Sequence, residues 1–208
     1  VFEEGSDAAK VSGAAGAITV ETKDGRVIKG SHLLMAVGRK SNIDRLDLDK
    51  AGVETTKAGI KVDDSLRSSN RRVYAIGDVA GGLQFTHVAG YHAGVVIRSI
   101  LFGLPSKTKL HHIPWVTYAA PELAQVGLTE AQAHEEHGDK LEVVRFHYNH
   151  NDRAIAERQT KGFIKVMVVK GRPVGDSIVG HQEGELISLW SLALVTKLKI
   201  SQIAAMVA

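Results

Sequence analysis

Asp78 sits where a side chain could meet a ligand. It belongs to Tyr74-Ala75-Ile76-Gly77-Asp78-Val79-Ala80-Gly81-Gly82, directly after the apolar run Val73–Ile76. Such a run reads as a buried strand ending at Gly77-Asp78, and a carboxylate at a strand tip can accept hydrogen bonds from a ligand's hydroxyls. Gln84, Phe85, Thr86 and His87 then lead into a helical pattern. The first turn of a helix offers unpaired N–H groups and a partial positive charge, which suits an electron-rich or anionic group. The other chemistry-bearing side chains are histidines: His111-His112, His134 with His137, and His147 with His150. None of these pairs has the carboxylate arrangement of a zinc signature, so they read as surface histidines and no metal site is expected.

The elements that must position Asp78 follow from periodicity. Val88, His92, Val95, Val96, Ser99 and Ile100 recur at threes and fours, Gly103 suits a helix C-terminus, and Pro105 follows it. Gly90 and Gly94, inside this helix, suggest close packing on their face. Upstream, Ala17–Thr22 alternates, Asp24-Gly25 signals a hairpin, and Arg26–Ile28 returns. His32–Val37 is a continuous apolar run of the buried-strand type, ending at Gly38-Arg39. Leu46–Val53 reads as a short helix or turn, 59–63 as a strand and 68–70 as loop. Downstream, 115–118, 141–146, 163–169 and 177–180 read as strands, with a turn at Gly171-Arg172-Pro173. Thr129 caps a helix over 131–137, and an apolar helix runs over 185–197 with Leu186, Leu189, Trp190, Ala193, Leu194 and Leu198 on one side.

Composition removes several classes of function. The net charge is +3 over 208 residues with scattered Lys and Arg, which gives no argument for nucleic acid. Zero cysteines exclude disulfides, thiolate zinc sites and a cysteine nucleophile within the chain. No apolar run reaches the roughly 18 residues of a membrane span, so the expectation is a cytoplasmic protein with no membrane partner. The opening Val1-Phe2-Glu3-Glu4 and the unfinished helical pattern at Met206-Val207-Ala208 read as those of a fragment.

Ala75-Ile76-Gly77-Asp78-Val79 with the helix after it closely resembles the second flavin motif of the pyridine nucleotide-disulfide oxidoreductases, the family of dihydrolipoamide dehydrogenase, glutathione reductase and mercuric reductase. The resemblance extends over almost the whole chain. It includes Leu34–Arg39, the strand leaving the NAD(P)-binding domain, then 59–63 in order and spacing with 73–78, and the landmarks Pro121-Glu122 and Val126–Glu130. It implies that Asp78 holds a ribityl hydroxyl of FAD, that Gln84, Phe85, Thr86 and His87 line the N1 and C2 carbonyl edge of the flavin, and that Gly38 approaches the nicotinamide nucleotide. One departure is Ser41, where the family usually has proline. The expected effect is a looser turn with no disturbed ligand contact.

The implied fold is α/β plus α+β. Residues 1–40 would end the NAD(P)-binding domain, 41–110 would form the returning segment of the FAD-binding domain, and 111–208 a C-terminal dimerisation domain, truncated at its end. The implied function is part of an FAD-dependent oxidoreductase that passes electrons from NADH or NADPH through FAD to a disulfide. The family's redox cysteine pair lies outside this chain, and its catalytic histidine and glutamate come from the partner subunit, so no catalytic residue is assigned here. The implied partners are a second copy bound through 111–208, with the Trp190 helix at or near the contact, and a small-molecule or disulfide substrate. A non-catalytic dimerisation fragment and a flavin reductase relative lacking the disulfide stand as alternatives.

Overall fold

In the computed structural model, residues 4–206 are described, and the chain divides into two compact units, Val1–Lys40 and Ser41–Ala208. The first unit is an antiparallel meander of β1 (Ala8–Ala14), β2 (Ala17–Thr22) and β3 (Val27–Gly30) in the order β1-β2-β3. Its second turn is fixed locally. Asp24 accepts hydrogen bonds from Ser6, Thr22 and Arg26, and these donors hold its carboxyl well below the usual carboxylate range, the Thr22 hydroxyl first among them. The run after β3 departs from expectation. Residues 32–37 join no ladder, and Leu34 and Val37 are each 88% exposed. The apolar character of this run is real, but among the described residues it has no strand to pair with.

The second unit begins with Ser41 and a small two-stranded ribbon, β4 (Thr55–Thr56) and β5 (Gly59–Ile60). Val53, Ile60 and Ala75 form a compact cluster, with Ile43, Leu48, Val62, Val73, Val79 and Ala80 packed around it. The anticipated strand at Val73–Ile76 is extended but carries only an isolated bridge, Arg67 to Tyr74. Ala75 is buried as expected, whereas Ile76 is 42% exposed. A 3-10 turn, Gly77–Ala80, follows, and then α1, Thr86–Phe102, which ends on Gly103 in the left-handed conformation. Gly90 and Gly94 do not pack closely: a side-chain carbon at either would meet nothing within 4 Å. Their face of α1 is open among the described residues.

From β6 (Trp115–Thr117) onward the chain forms a five-stranded antiparallel sheet. It comprises β6, β7 (Glu122–Gly127), β8 (Leu141–His147), β9 (Phe163–Val169) and β10 (Arg172–Gly180), in the order β6-β7-β10-β9-β8. Three helices punctuate it: α2 (Glu130–His137), α3 (Asp152–Ala156) and α4 (Glu183–Thr196); α5 (Ile200–Ala204) closes the described chain. Thr129 and Gln132 form a reciprocal capping box on α2. The main core lies where α4 covers the sheet: Ile187, Trp190 and Leu194 pack on Ala124, Val126, Val166, Val168 and Ile178. Trp190 is therefore core, while Leu186, Leu192 and Val195 of the same helix are exposed. No described helix is long and apolar enough to cross a membrane.

Candidate functional site

Gly77-Asp78 is held where several elements converge. Gly77 takes φ +69, in the left-handed region, and a side-chain carbon there would lie 2.9 Å from Ala89 Cβ of α1. Only glycine suits both the conformation and the closeness. Gly59 of β5 meets the same turn from the other side, and a side chain there would collide with the Val79 carbonyl. Two side chains complete the frame. The Gly77 N–H donates to His92 Nδ1 of α1 at 3.1 Å, and the Ser41 hydroxyl, 6% exposed, shares its one hydrogen between Ala58 O at 2.7 Å and Asp78 O at 2.9 Å. Asp78 itself is exposed at the end of the extended segment.

The start of α1 supplies the second component. Its N-cap is Phe85, no side chain caps it, and no acidic residue stands in its first turn. Val88 and Ala89 N–H turn back to the Phe85 carbonyl, so the amides of Thr86 and His87 stand at the mouth of the helix with its partial positive charge. Phe85, Thr86 and His87 line a cleft of about 560 Å³ whose far wall is Pro114, Val116, Tyr118, Gly184 and Ile187 of the sheet and α4. The His87 ring stacks on Phe85 at 5.3 Å, and its Nε2 lies 2.8 Å from the Pro114 carbonyl. A carbonyl only accepts, so Nε2 carries the hydrogen. The His87 side chain thus ties α1 to the approach to β6.

Of the residues singled out in the sequence, Phe85, Thr86 and His87 come together at one cleft, with Gln84 half-buried just before them. Asp78 lies one short turn upstream, and Gly38, at φ +107 and exposed, belongs to the other unit. Sequence reasoning missed His92 and Ser41 as supports. His92 was visible only as one buried position of a helical period, and Ser41 only as a departure from a proline. The expectation of a looser turn at Ser41 is corrected: its hydroxyl bridges two carbonyls that no proline could bind. Among the described residues, no group of three or more His, Asp or Glu side chains could hold a metal ion.

The site fits a flavin on the chemistry of its donors and acceptors. An exposed carboxylate suits ribityl hydroxyls, and an uncapped helix start suits the electron-rich pyrimidine edge.

Residues 2–93 match the family model described as pyridine nucleotide-disulphide oxidoreductase, and residues 113–208 match its dimerisation domain. A dihydrolipoyl dehydrogenase of Bacillus subtilis is 35% identical over 161 residues, 76% of this chain and 35% of that protein. A mercuric reductase of Lysinibacillus sphaericus is 39% identical over 171 residues, 81% of this chain and 31% of the relative. Among solved structures, LpdA of Mycobacterium tuberculosis superposes with a TM-score of 0.88 at 25% identity, covering 98% of this chain and 45% of that one. The HOCl-induced flavoprotein disulfide reductase RclA of Escherichia coli gives 0.84 at 25% identity, covering 97% and 47%. The chain thus spans about a third to a half of the length of these proteins. The mixed α/β architecture matches that of a disulfide oxidoreductase. The chain belongs to the pyridine nucleotide-disulfide oxidoreductases, a family of FAD-dependent, NAD(P)-using enzymes.

Proposed function

We propose that this chain is the C-terminal half of an FAD-dependent enzyme that passes electrons from NADH or NADPH through FAD to a disulfide. The observation that carries the reading is the junction of an exposed Asp78, framed at its own peptide, with the uncapped start of α1 at the cleft of Phe85, Thr86 and His87. Asp78 accepts hydrogen bonds from the ribityl chain. The amides of Thr86 and His87, with Gln84 and Phe85 beside them, meet the N1 and C2 carbonyl edge of the ring. FAD, when bound, supplies the hydride chemistry. Reduced flavin is more negative at that edge, so the helix start favours the reduced form.

In this reading residues 1–40 end the NAD(P)-binding domain, with Gly38 offering its backbone to the nucleotide, and 41–110 return through the FAD-binding domain. Residues 111–208 form the dimerisation domain and join a second copy, as the matched dimerisation-domain model supports. The setting is the cytoplasm. The chain carries no cysteine, so the redox pair must come from other residues of the full-length protein.

The test is anaerobic titration of the full-length flavoprotein with NADH and with NADPH. Bleaching of the flavin band by one of them, reversed by an added disulfide such as lipoamide, is the expected result. A flavin that neither nucleotide reduces would overturn the electron path.

A further inference from the structure

We propose that His92 and Ser41 are a positioning pair, holding the Gly77–Asp78 peptide from its two ends so that the Asp78 carboxylate meets its ligand in one orientation. The inference deepens the flavin reading and rests on it. The two contacts act on opposite poles of the turn. His92 Nδ1 accepts from the Gly77 N–H at 3.1 Å, and the Ser41 hydroxyl, sharing its hydrogen with the Ala58 carbonyl at 2.7 Å, reaches the Asp78 carbonyl at 2.9 Å. Both side chains are buried, 5% and 6% exposed. The His92 contact is costly to lose, because the N–H of buried Gly77 has no solvent to turn to, whereas the Asp78 carbonyl keeps the Gly81 N–H. The turn closes its C-terminal side with its own backbone bond, Gly81 N–H to the Asp78 carbonyl at 3.1 Å, and leaves the Gly77 N–H to His92. Its N-terminal cap, Ile76, makes no side-chain hydrogen bond, and Gly77 adopts a conformation that glycine alone takes easily.

His92 can act this way only when neutral. The Gly77 N–H needs a lone pair on Nδ1, which places the ring hydrogen on Nε2. Protonation fills Nδ1 and breaks the contact. Burial pushes the imidazole below its ordinary value, which keeps the acceptor in place at neutral pH. The ionisable groups around the ring are Tyr91, at 6.1 Å between ring centroids, Asp78 in the turn itself, and Asp63 and Asp64 across a cleft of about 170 Å³ that His92 helps to line. The positioning should therefore fail as the pH falls below the ordinary imidazole range, while the Ser41 contact stays indifferent to pH.

The test compares FAD affinity of the full-length protein with amide hydrogen exchange at Gly77, each between pH 5 and 8. His92→Leu removes the acceptor at similar volume. It should weaken FAD about tenfold at pH 8, flatten the pH profile and speed Gly77 exchange. His92→Asn presents an oxygen near the place of Nδ1 and does not titrate, so it should restore much of the affinity while leaving the profile flat. Ser41→Ala should weaken FAD by a similar factor at every pH and keep the profile's shape. FAD binding that ignores all three substitutions overturns the positioning role. A wild-type protein that takes up no FAD, while Gly77 exchange still follows His92, overturns the flavin reading instead.

Discussion

Among the described residues no side chain donates to the carboxylate of fully buried Asp176, and only the Ser177 backbone N–H leans toward it. The register of β10 places it opposite Val126 and Val166, both members of the main core. Burial, with Glu183 nearby as a second carboxylate, pushes Asp176 up to about 8 from 3.8. Glu183 is itself pushed up by burial and shares its Oε2 with the Tyr148 hydroxyl at 2.9 Å. The folded state thus holds a proton that the unfolded chain releases near pH 4. The stability linked to it is full below the unfolded value and is lost as the pH rises toward about 8, at up to roughly 1.4 kcal/mol per pH unit. Asp176→Val should therefore stabilise the fold at pH 8 and remove that component of the pH dependence. Thermal unfolding at pH 5 and pH 8 is the check, and an unchanged pH slope in the variant would contradict the assignment. His92 runs the other way: its folded value is depressed by burial, so its contribution is present above about 6.5 and lost as the pH falls through the folded value. The place of Asp78, between an apolar extended run and a helical period, was legible from the sequence because both signals are local. The burial of Asp176 was not, because it depends on what two neighbouring strands place opposite it.

At the scale of elements, α1, α4 and the β2–β3 hairpin were readable because their signals are internal to each segment. The 3.6 period over 88–100, Gly103 at the C-terminus and Asp24-Gly25 need no distant partner to act. Two anticipated strands failed for the converse reason. The apolar runs at 32–37 and 73–76 announce a need for burial, but a ladder requires a second strand, and no sequence run names its neighbour. Local signals also make local predictions. Thr129→Ala removes the capping box of α2 and should cost about 1 kcal/mol in denaturant unfolding. Gly127 ends β7 at φ +66, and a methyl there would meet the Val174 carbonyl and the Leu194 side chain. Gly127→Ala should therefore cost about 3 kcal/mol, and a loss no larger than that of Thr129→Ala would show that β10 and α4 yield easily.

For the molecule as a whole, the distribution of apolar surface matters more than any one contact. Trp190, Ile187 and Leu194 face the sheet, leaving Leu192 and Val195 exposed on the same helix. That outward surface is what a second copy can cover. Leu192→Glu with Val195→Glu should leave secondary structure intact and shift the full-length protein toward monomer in sedimentation velocity. Trp190→Ala should instead lower stability by roughly 3–5 kcal/mol through the cavity it leaves. A double variant that sediments as wild type would place the subunit contact elsewhere on residues 111–208.

Whether the Gly77–Asp78 turn and the start of α1 receive a flavin is decided by the FAD content of the purified full-length protein and its Asp78→Ala variant, read from the visible absorption band against protein concentration. The expected result is near-stoichiometric flavin in the wild type and at least tenfold weaker retention in the variant on dilution, because a ribityl hydroxyl loses its charged acceptor. Full and equally tight flavin in the Asp78→Ala protein would contradict the flavin site.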